Sequence, residues 1–289
     1  MIEKSSHELL ATYLLSSLFY FLIFLVTSYF AKMKGFLSLP FKRFSGMCTS
    51  GLDVFFNILF FILSFGSTGF LIAMLSSKGL PPSLFHQIAI PLFPFVINTF
   101  LIYLYACLNS KFHPKGLIKD TLYPGTKSIS NDIGDGFLSL LLSLPPLFAF
   151  ISLIEALFIW LNFQKGVGQD AVNFLIHAKE NPISLTMALI SIVIGAPMIE
   201  EFLFRGVMQS FLRKKAGAIA SIILTSIFFS IFHFSLSQGL QNIAIIMSLF
   251  ILSVYLGFVY EKTRSLFASI TLHVTFNVIN AIKIIFYSS

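Results

Sequence analysis

Apolar runs of about twenty residues recur along most of this chain, and no other feature constrains its folding more. Hydrocarbon offers no water to the backbone, so such a run crosses a bilayer as an α-helix whose N–H and C=O groups are paired internally. About 20 apolar residues are enough to span. We read eight runs, at roughly 9–31, 52–75, 87–107, 137–161, 183–204, 218–237, 240–260 and 265–286. They leave no room for a separate soluble domain. Only 11% of the residues are charged, against about 25% in soluble proteins, and 36 Phe residues add apolar surface without polar handles. The expected fold is therefore all-α: a polytopic membrane bundle of about eight transmembrane helices. Residues 1–182 and 183–289 would each supply about four spans to one integrated membrane domain.

The net charge of +7 invites a nucleic-acid reading, but the placement of the charges argues for a membrane instead. Loops after the first, third, fifth and seventh runs hold thirteen Lys and Arg residues, among them Lys32, Lys42, Lys111, Arg213, Lys214 and Arg264. The other loops and the two ends hold five: Lys4, Lys78, Lys165, Lys179 and Lys283. Cytoplasmic loops carry the excess of Lys and Arg. The odd-numbered loops are thus expected in the cytoplasm, with both termini outside. Lys4 ahead of an apolar run looks like a signal peptide. The run continues for about 22 residues, beyond the 7–15 of an h-region, and no A-x-A-like site follows. An uncleaved first span is expected.

Cys48 and Cys107 have no metal-type spacing and imply no disulfide framework. Asn109–Gly136, with its scattered Pro and Gly, reads as an irregular surface loop. The stretch Asn162–Asn181 is a second loop, in which AVNFLIHA could form a short amphipathic helix. His7, His86, His113 and His177 read as ordinary loop or surface histidines.

The chemistry concentrates in the last third, inside runs that otherwise read as spans. Intramembrane ionisable groups are costly and persist where they face one another or a wet cavity. The first motif is GAPMIEEFLFRGVMQSFLRKK, from Gly195 to Lys215. Pro197 lacks an N–H and frees the carbonyl of Val193, so a kink or widened turn is expected just before the acids. Glu201 and Arg205 are four apart and share a helix face, as an ion pair requires. Glu200 points about 100° away and has no basic partner in its own turn. Desolvation of such a carboxylate suits it to act as a general base.

The second motif is Phe229-Ser230-Ile231-Phe232-His233. An antiparallel hairpin folded about residue 216 puts Glu200 sixteen residues from the turn and His233 seventeen. Equal rise then sets the two side chains at one depth. The third is His273-Val274-Thr275-Phe276-Asn277, whose outer members share a helix face. A histidine and an amide there could polarise a carbonyl and hold the oxyanion, or simply join helices by hydrogen bonds. Glu155 matches no motif and is expected near the outer interface beside Trp160.

Taken together and in this order, EExxxR, FxxxH and HxxxN resemble the CAAX protease and bacteriocin-processing family of intramembrane proteases, which includes the prenyl-protein endopeptidases. The resemblance covers roughly Ile183 to Ile284 and extends to Gly206 after the arginine. It implies an intramembrane catalytic cavity and hydrolysis of a peptide bond in a peptide or protein substrate, lipid-bearing or not. By the same resemblance Glu200 activates the water and His233 helps hold it. His273 and Asn277 stabilise the oxyanion, while Glu201, Arg205 and Phe229 shape the site. Glu200, His233 and His273 could also supply a three-ligand zinc site. There is no HEXXH, and the sequence leaves zinc and a metal-free mechanism both open. Two other readings use the same residues: a non-catalytic peptide-binding or bacteriocin-immunity protein of this fold, and a proton-coupled transporter. The transporter would call for paired broken helices in both halves, and only the C-terminal half has one. One site also demands a long fifth helix that carries its basic end toward Lys214, with a cavity opening to the cytoplasm.

Overall fold

The Leu-, Ile- and Phe-rich runs fold as helices throughout. The computed structural model describes residues 6–39, 50–77, 84–108, 128–163 and 170–287. We label its helices α1 (Ser6–Met33), α2 (Gly51–Ser77), α3 (Leu84–Leu108), α4 (Ile129–Trp160), α5 (Asp170–Ala178), α6 (Pro182–Ala216), α7 (Ala218–Ile231), α8 (Gln241–Thr263) and α9 (Leu266–Tyr287). Seven of them are long and apolar enough to cross a membrane. The fold is an all-α polytopic bundle, and exposed apolar side chains such as Leu15, Phe19 and Phe70 form its lipid-facing surface.

Three boundaries differ from the sequence reading. The fourth helix begins at Ile129 rather than near 137, capped by the Ser128 side chain, which accepts from the Asn131 N–H. Gly134 and Gly136 therefore lie in helix, not loop. Gly136 is where α4 meets α9: a Cβ there would stand 2.5 Å from the Ala268 carbonyl. The fifth span does not stop at 204. It runs for 35 residues to Ala216, as the long fifth helix required, and Gly217 ends it at φ 86°, a conformation open to glycine.

The sixth span, expected over 218–237, is the third difference. Helix α7 has only 14 residues, about 21 Å by rise, and His233 lies in the turn after it rather than inside a span. The segment that follows is rich in Ser, Gln and Gly, and its backbone finds partners outside a helix. The Asn242 side chain closes it, accepting from the Ser235 N–H at 3.1 Å and donating to the carbonyls of Ser235 at 2.7 Å and Gly239 at 2.9 Å. Irregular backbone at membrane depth is stable only when satisfied in this way.

AVNFLIHA does form a short helix, α5. His177 is exposed on it, with Nδ1 2.7 Å from the Asn173 carbonyl. His7 is exposed on α1. The expectations for Cys48, His113 and residues 109–127 fall outside the described residues, as does the side chain of His86.

Helices α6 and α8 are joined by a polar ladder with a constant offset. Arg205 donates to Ser253, Gln209 to the Gly257 carbonyl and Arg213 to Glu261, each pair 48 residues apart. A constant difference means that the two helices run in the same direction, one turn per rung. Gly257 makes the middle rung possible: a Cβ there would stand 2.9 Å from Gln209 Oε1 and 3.2 Å from an Ile222 methyl. The last rung ends in a charged cluster at the basic end, where Glu261 Oε1 accepts at 2.7 Å from both Arg213 and Arg264. By this offset the start of α8, Gln241, is level with Val193. That is eleven residues, or about 16 Å, below the start of α6. The bundle therefore has a recess at the end away from Lys214. On the other side α2 backs α6 and α7, with Val54, Ile58 and Phe61 packed on the cluster of Leu203, Phe204, Met208 and Phe229.

Candidate active site

The paired acids sit on one regular helical turn, Ala196–Glu201, between two wider π-helical stretches, Ile190–Gly195 and Phe202–Gln209. The widening expected ahead of Pro197 is present. One carbonyl in it is claimed by the last helix: Asn277 Nδ2 donates to Ile192 O at 2.9 Å.

Glu200 and Glu201 diverge as their 100° separation requires. Glu201 turns into the protein and is fully buried, and its Oε1 accepts from Arg205 Nη1 at 3.0 Å and from His273 Nδ1 at 2.9 Å. Arg205, equally buried, also donates to the Ser253 hydroxyl at 2.7 Å and lies 4.6 Å from the Phe229 ring centroid. A buried pair holds only when each charge is met by good geometry and extra hydrogen bonds. Ser253 and His273 supply the hydrogen bonds, and the Phe229 ring faces the guanidinium.

Glu200 turns the other way, into a cavity. Its Oε2 is 4.0 Å from His233 Nε2 and 3.8 Å from His273 Nε2. The far side of each ring sets its tautomer. His233 Nδ1 faces the Phe229 carbonyl at 2.8 Å, and His273 Nδ1 faces the Glu201 carboxylate. Both partners only accept, so each Nδ1 carries its hydrogen. In the neutral rings both Nε2 atoms are therefore bare acceptors aimed at the same carboxylate oxygen. Phe229 packs against both rings, at 4.9 and 5.8 Å between centroids.

The sequence arithmetic is met: Glu200, His233 and His273 converge, although separate helices and a turn carry them. Asn277 lines the same cavity, with one amide N–H committed to Ile192 and the other without a partner among the described residues. The cavity holds about 410 Å³ and is walled by α5, α6, α8 and α9. It does not open toward Lys214 as expected. It extends to Val172 on α5 and to Asn280 and Lys283 near the end of α9, because the short α7 and the low start of α8 leave the recess there. Glu155 does not line it and is partly buried. A larger cavity of about 1140 Å³, beside Arg213 and the start of α7, contains none of these side chains.

Zinc bonded at 2.0–2.1 Å in a tetrahedron sets its ligand atoms about 3.4 Å apart. The Glu200–histidine separations are wider. Among the described residues no group of three or more His, Cys, Asp and Glu has a metal-holding arrangement. The donor types suit zinc but the spacing does not.

Sequence reasoning missed Ser253, Gln209 and Gly257, which hold Arg205 and its helix in place. A serine and a glycine in an apolar run give no signal until the partner helix and its offset are known.

No curated protein and no solved structure matches the chain. Residues 182–279, a third of the chain, do match a family model, and every side chain of this site falls within them. That segment matches the model described as type II CAAX prenyl endopeptidase Rce1-like, consistent with the CAAX protease family that its three motifs resemble.

Proposed function

We propose that this protein is an intramembrane endopeptidase in which Glu200 and His233 together activate a water, without a metal. The observation that carries the reading is the convergence of one carboxylate and two imidazole Nε2 atoms in a single cavity of the matched domain. A water with hydrogen bonds of about 2.8 Å reaches both Glu200 Oε2 and His233 Nε2. Its lone pair then faces a substrate carbonyl. Glu200 takes a proton, the hydroxide adds to the carbonyl carbon, and the oxyanion forms beside the other N–H of Asn277. Collapse breaks the C–N bond, and Glu200 returns the proton to the leaving nitrogen. His273 Nε2 offers the same water a second acceptor, and Glu201, itself held by Arg205, holds His273 through Nδ1. Apolar walls formed by Leu249, Phe276 and Ile284 suit an apolar or lipid-bearing peptide.

The purified protein should keep its cleavage activity after exhaustive dialysis against a chelator. A metal mechanism requires close to one bound zinc per active chain, lost together with activity and restored with it. That result in a paired metal analysis and peptide assay would replace this mechanism.

The Lys and Arg bias puts the basic turn at 213–217 in the cytoplasm, so the cavity opens on the opposite side and substrates reach it from there. In a protein carrying Cys48→Ser and Cys107→Ser, Lys179→Cys should react with a membrane-impermeant maleimide on intact cells, and Lys214→Cys should react only after permeabilisation. The reverse pattern would invert the orientation.

A further inference from the structure

The larger cavity, of about 1140 Å³ at the basic end of the bundle, plays no part in the peptidase reading. Three pieces of chain meet there: the tail of α1 at Leu37 and Leu39, the end of α6 and the start of α7. Its described lining is apolar apart from Ser38 and Arg213, and contains no Asp or Glu.

Arg213 brings positive charge that the protein does not cancel. Its Nε donates to Glu261 Oε1 at 2.7 Å, the same oxygen that Arg264 meets at 2.7 Å. Two guanidiniums thus share one carboxylate, which leaves a surplus cation. The terminal nitrogens of Arg213 have no hydrogen bond among the described residues, and the side chain is 18% exposed. Lys214 and Lys215 are exposed next to it. The chain reverses at Gly217, so the first turn of α7 borders the same cavity.

Below this charged rim the wall is oily. Ile219 and Ile223 are four apart and share a face of α7, with Leu224 beside them. Ile223 lies one turn, about 6 Å, deeper than Ile219, and all three are exposed apolar side chains. Cations at the interface above an apolar slot that runs into hydrocarbon match an amphiphile with an anionic head. A small anion would leave the slot uncovered, and a zwitterionic head would bring its own cation toward Arg213. Basic pockets between helices at the cytoplasmic face recognise acidic lipid heads, and the Lys and Arg bias assigns that face to this end.

We propose that this cavity binds one anionic phospholipid of the bilayer, with its phosphate on Arg213 and an acyl chain along Ile219, Ile223 and Leu224. The lipid then braces the tail of α1 against the turn between α6 and α7. The probe is dioleoylphosphatidylglycerol against dioleoylphosphatidylcholine, added in equal amounts to the purified full chain in detergent and counted by native mass spectrometry. Phosphatidylglycerol should be retained about tenfold over phosphatidylcholine, the scale of one charge-assisted contact. Arg213→Gln should remove most of that preference, while Arg264 still meets Glu261.

Ile219→Glu is the second variant, should Arg213→Gln disturb the fold. The position is exposed, an acid in the first turn suits the helix, and its charge repels the phosphate, so the preference should fall as far. Lys32→Ser, at the same end of the bundle but not among the described lining residues, should keep the preference. Equal retention of the two lipids overturns the site. So does a preference that falls as far in Lys32→Ser, because a diffuse basic surface would then account for it. Displacement of the lipid by millimolar inorganic phosphate overturns it as well, since the cavity would then take a free anion.

Discussion

Glu200→Gln is expected to reduce peptide cleavage by at least about a hundredfold while the protein still folds and inserts. A positioned general base is worth roughly 10²–10⁴ in rate, and glutamine keeps the shape of the side chain while removing its capacity to take a proton. The geometry isolates the effect. Among the described residues Glu200 makes no short hydrogen bond to the bundle: its nearest basic atoms are the two histidine nitrogens at 3.8 and 4.0 Å. The neighbouring Glu201 carries the structural pairing, so stability should hardly change. Cleavage of a peptide panel, with the thermal midpoint measured on the same preparation, is the check. Residual activity above about a tenth of wild type would remove Glu200 from the role of base.

The opposite pattern is expected one helical turn later. Arg205→Met should destabilise the protein by about 3–5 kcal/mol, the cost of leaving a buried partner uncompensated. Glu201 has no exposure to water and would lose the guanidinium that pairs its charge. The methionine retains much of the side-chain volume against Phe229, so the loss reports charge rather than packing. Unfolding in mixed detergent, followed by the near-ultraviolet signal of the tyrosines and Trp160, gives the measurement. A double variant, Arg205→Met with Glu201→Gln, should recover part of the stability, because it removes the stranded charge as well. Stability unchanged by Arg205→Met would mean that the pair is not desolvated.

Much of the site was legible before any coordinates. The hairpin count from Arg213-Lys214-Lys215-Ala216-Gly217 set Glu200 level with His233, although a π-helical stretch widens one arm and His233 lies just past the end of the other. The four-residue spacing paired Glu201 with Arg205 and put His273 and Asn277 on one face. Pro197 announced the widened turn, because a missing N–H acts locally. The misreadings have a different origin. The end of α7 was hidden because hydropathy averages over a window: His233, Ser235 and Gln238 are diluted by Phe232, Phe234 and Leu236. The end depends instead on Asn242 capturing the Ser235 backbone seven residues away. The direction of the cavity was missed for the same reason, since it follows from where α7 stops. The ladder of Ser253, Gly257 and Glu261 depends on the parallel course of two helices that are not neighbours in sequence.

The shortness of α7 has a consequence for the lipid itself. At about 21 Å the helix falls roughly a third short of a 30 Å hydrocarbon layer, and a short apolar element draws the bilayer thinner beside it. On the proposed peptidase reading, a peptide backbone approaching Glu200 from the recess therefore crosses less than the full hydrocarbon layer. Each unpaired amide costs several kcal/mol at full membrane depth, so trimming that distance lowers the barrier to delivering an unfolded segment. On that reading, the bilayer next to α7 is part of the substrate's entrance, shaped by a helix that stops early.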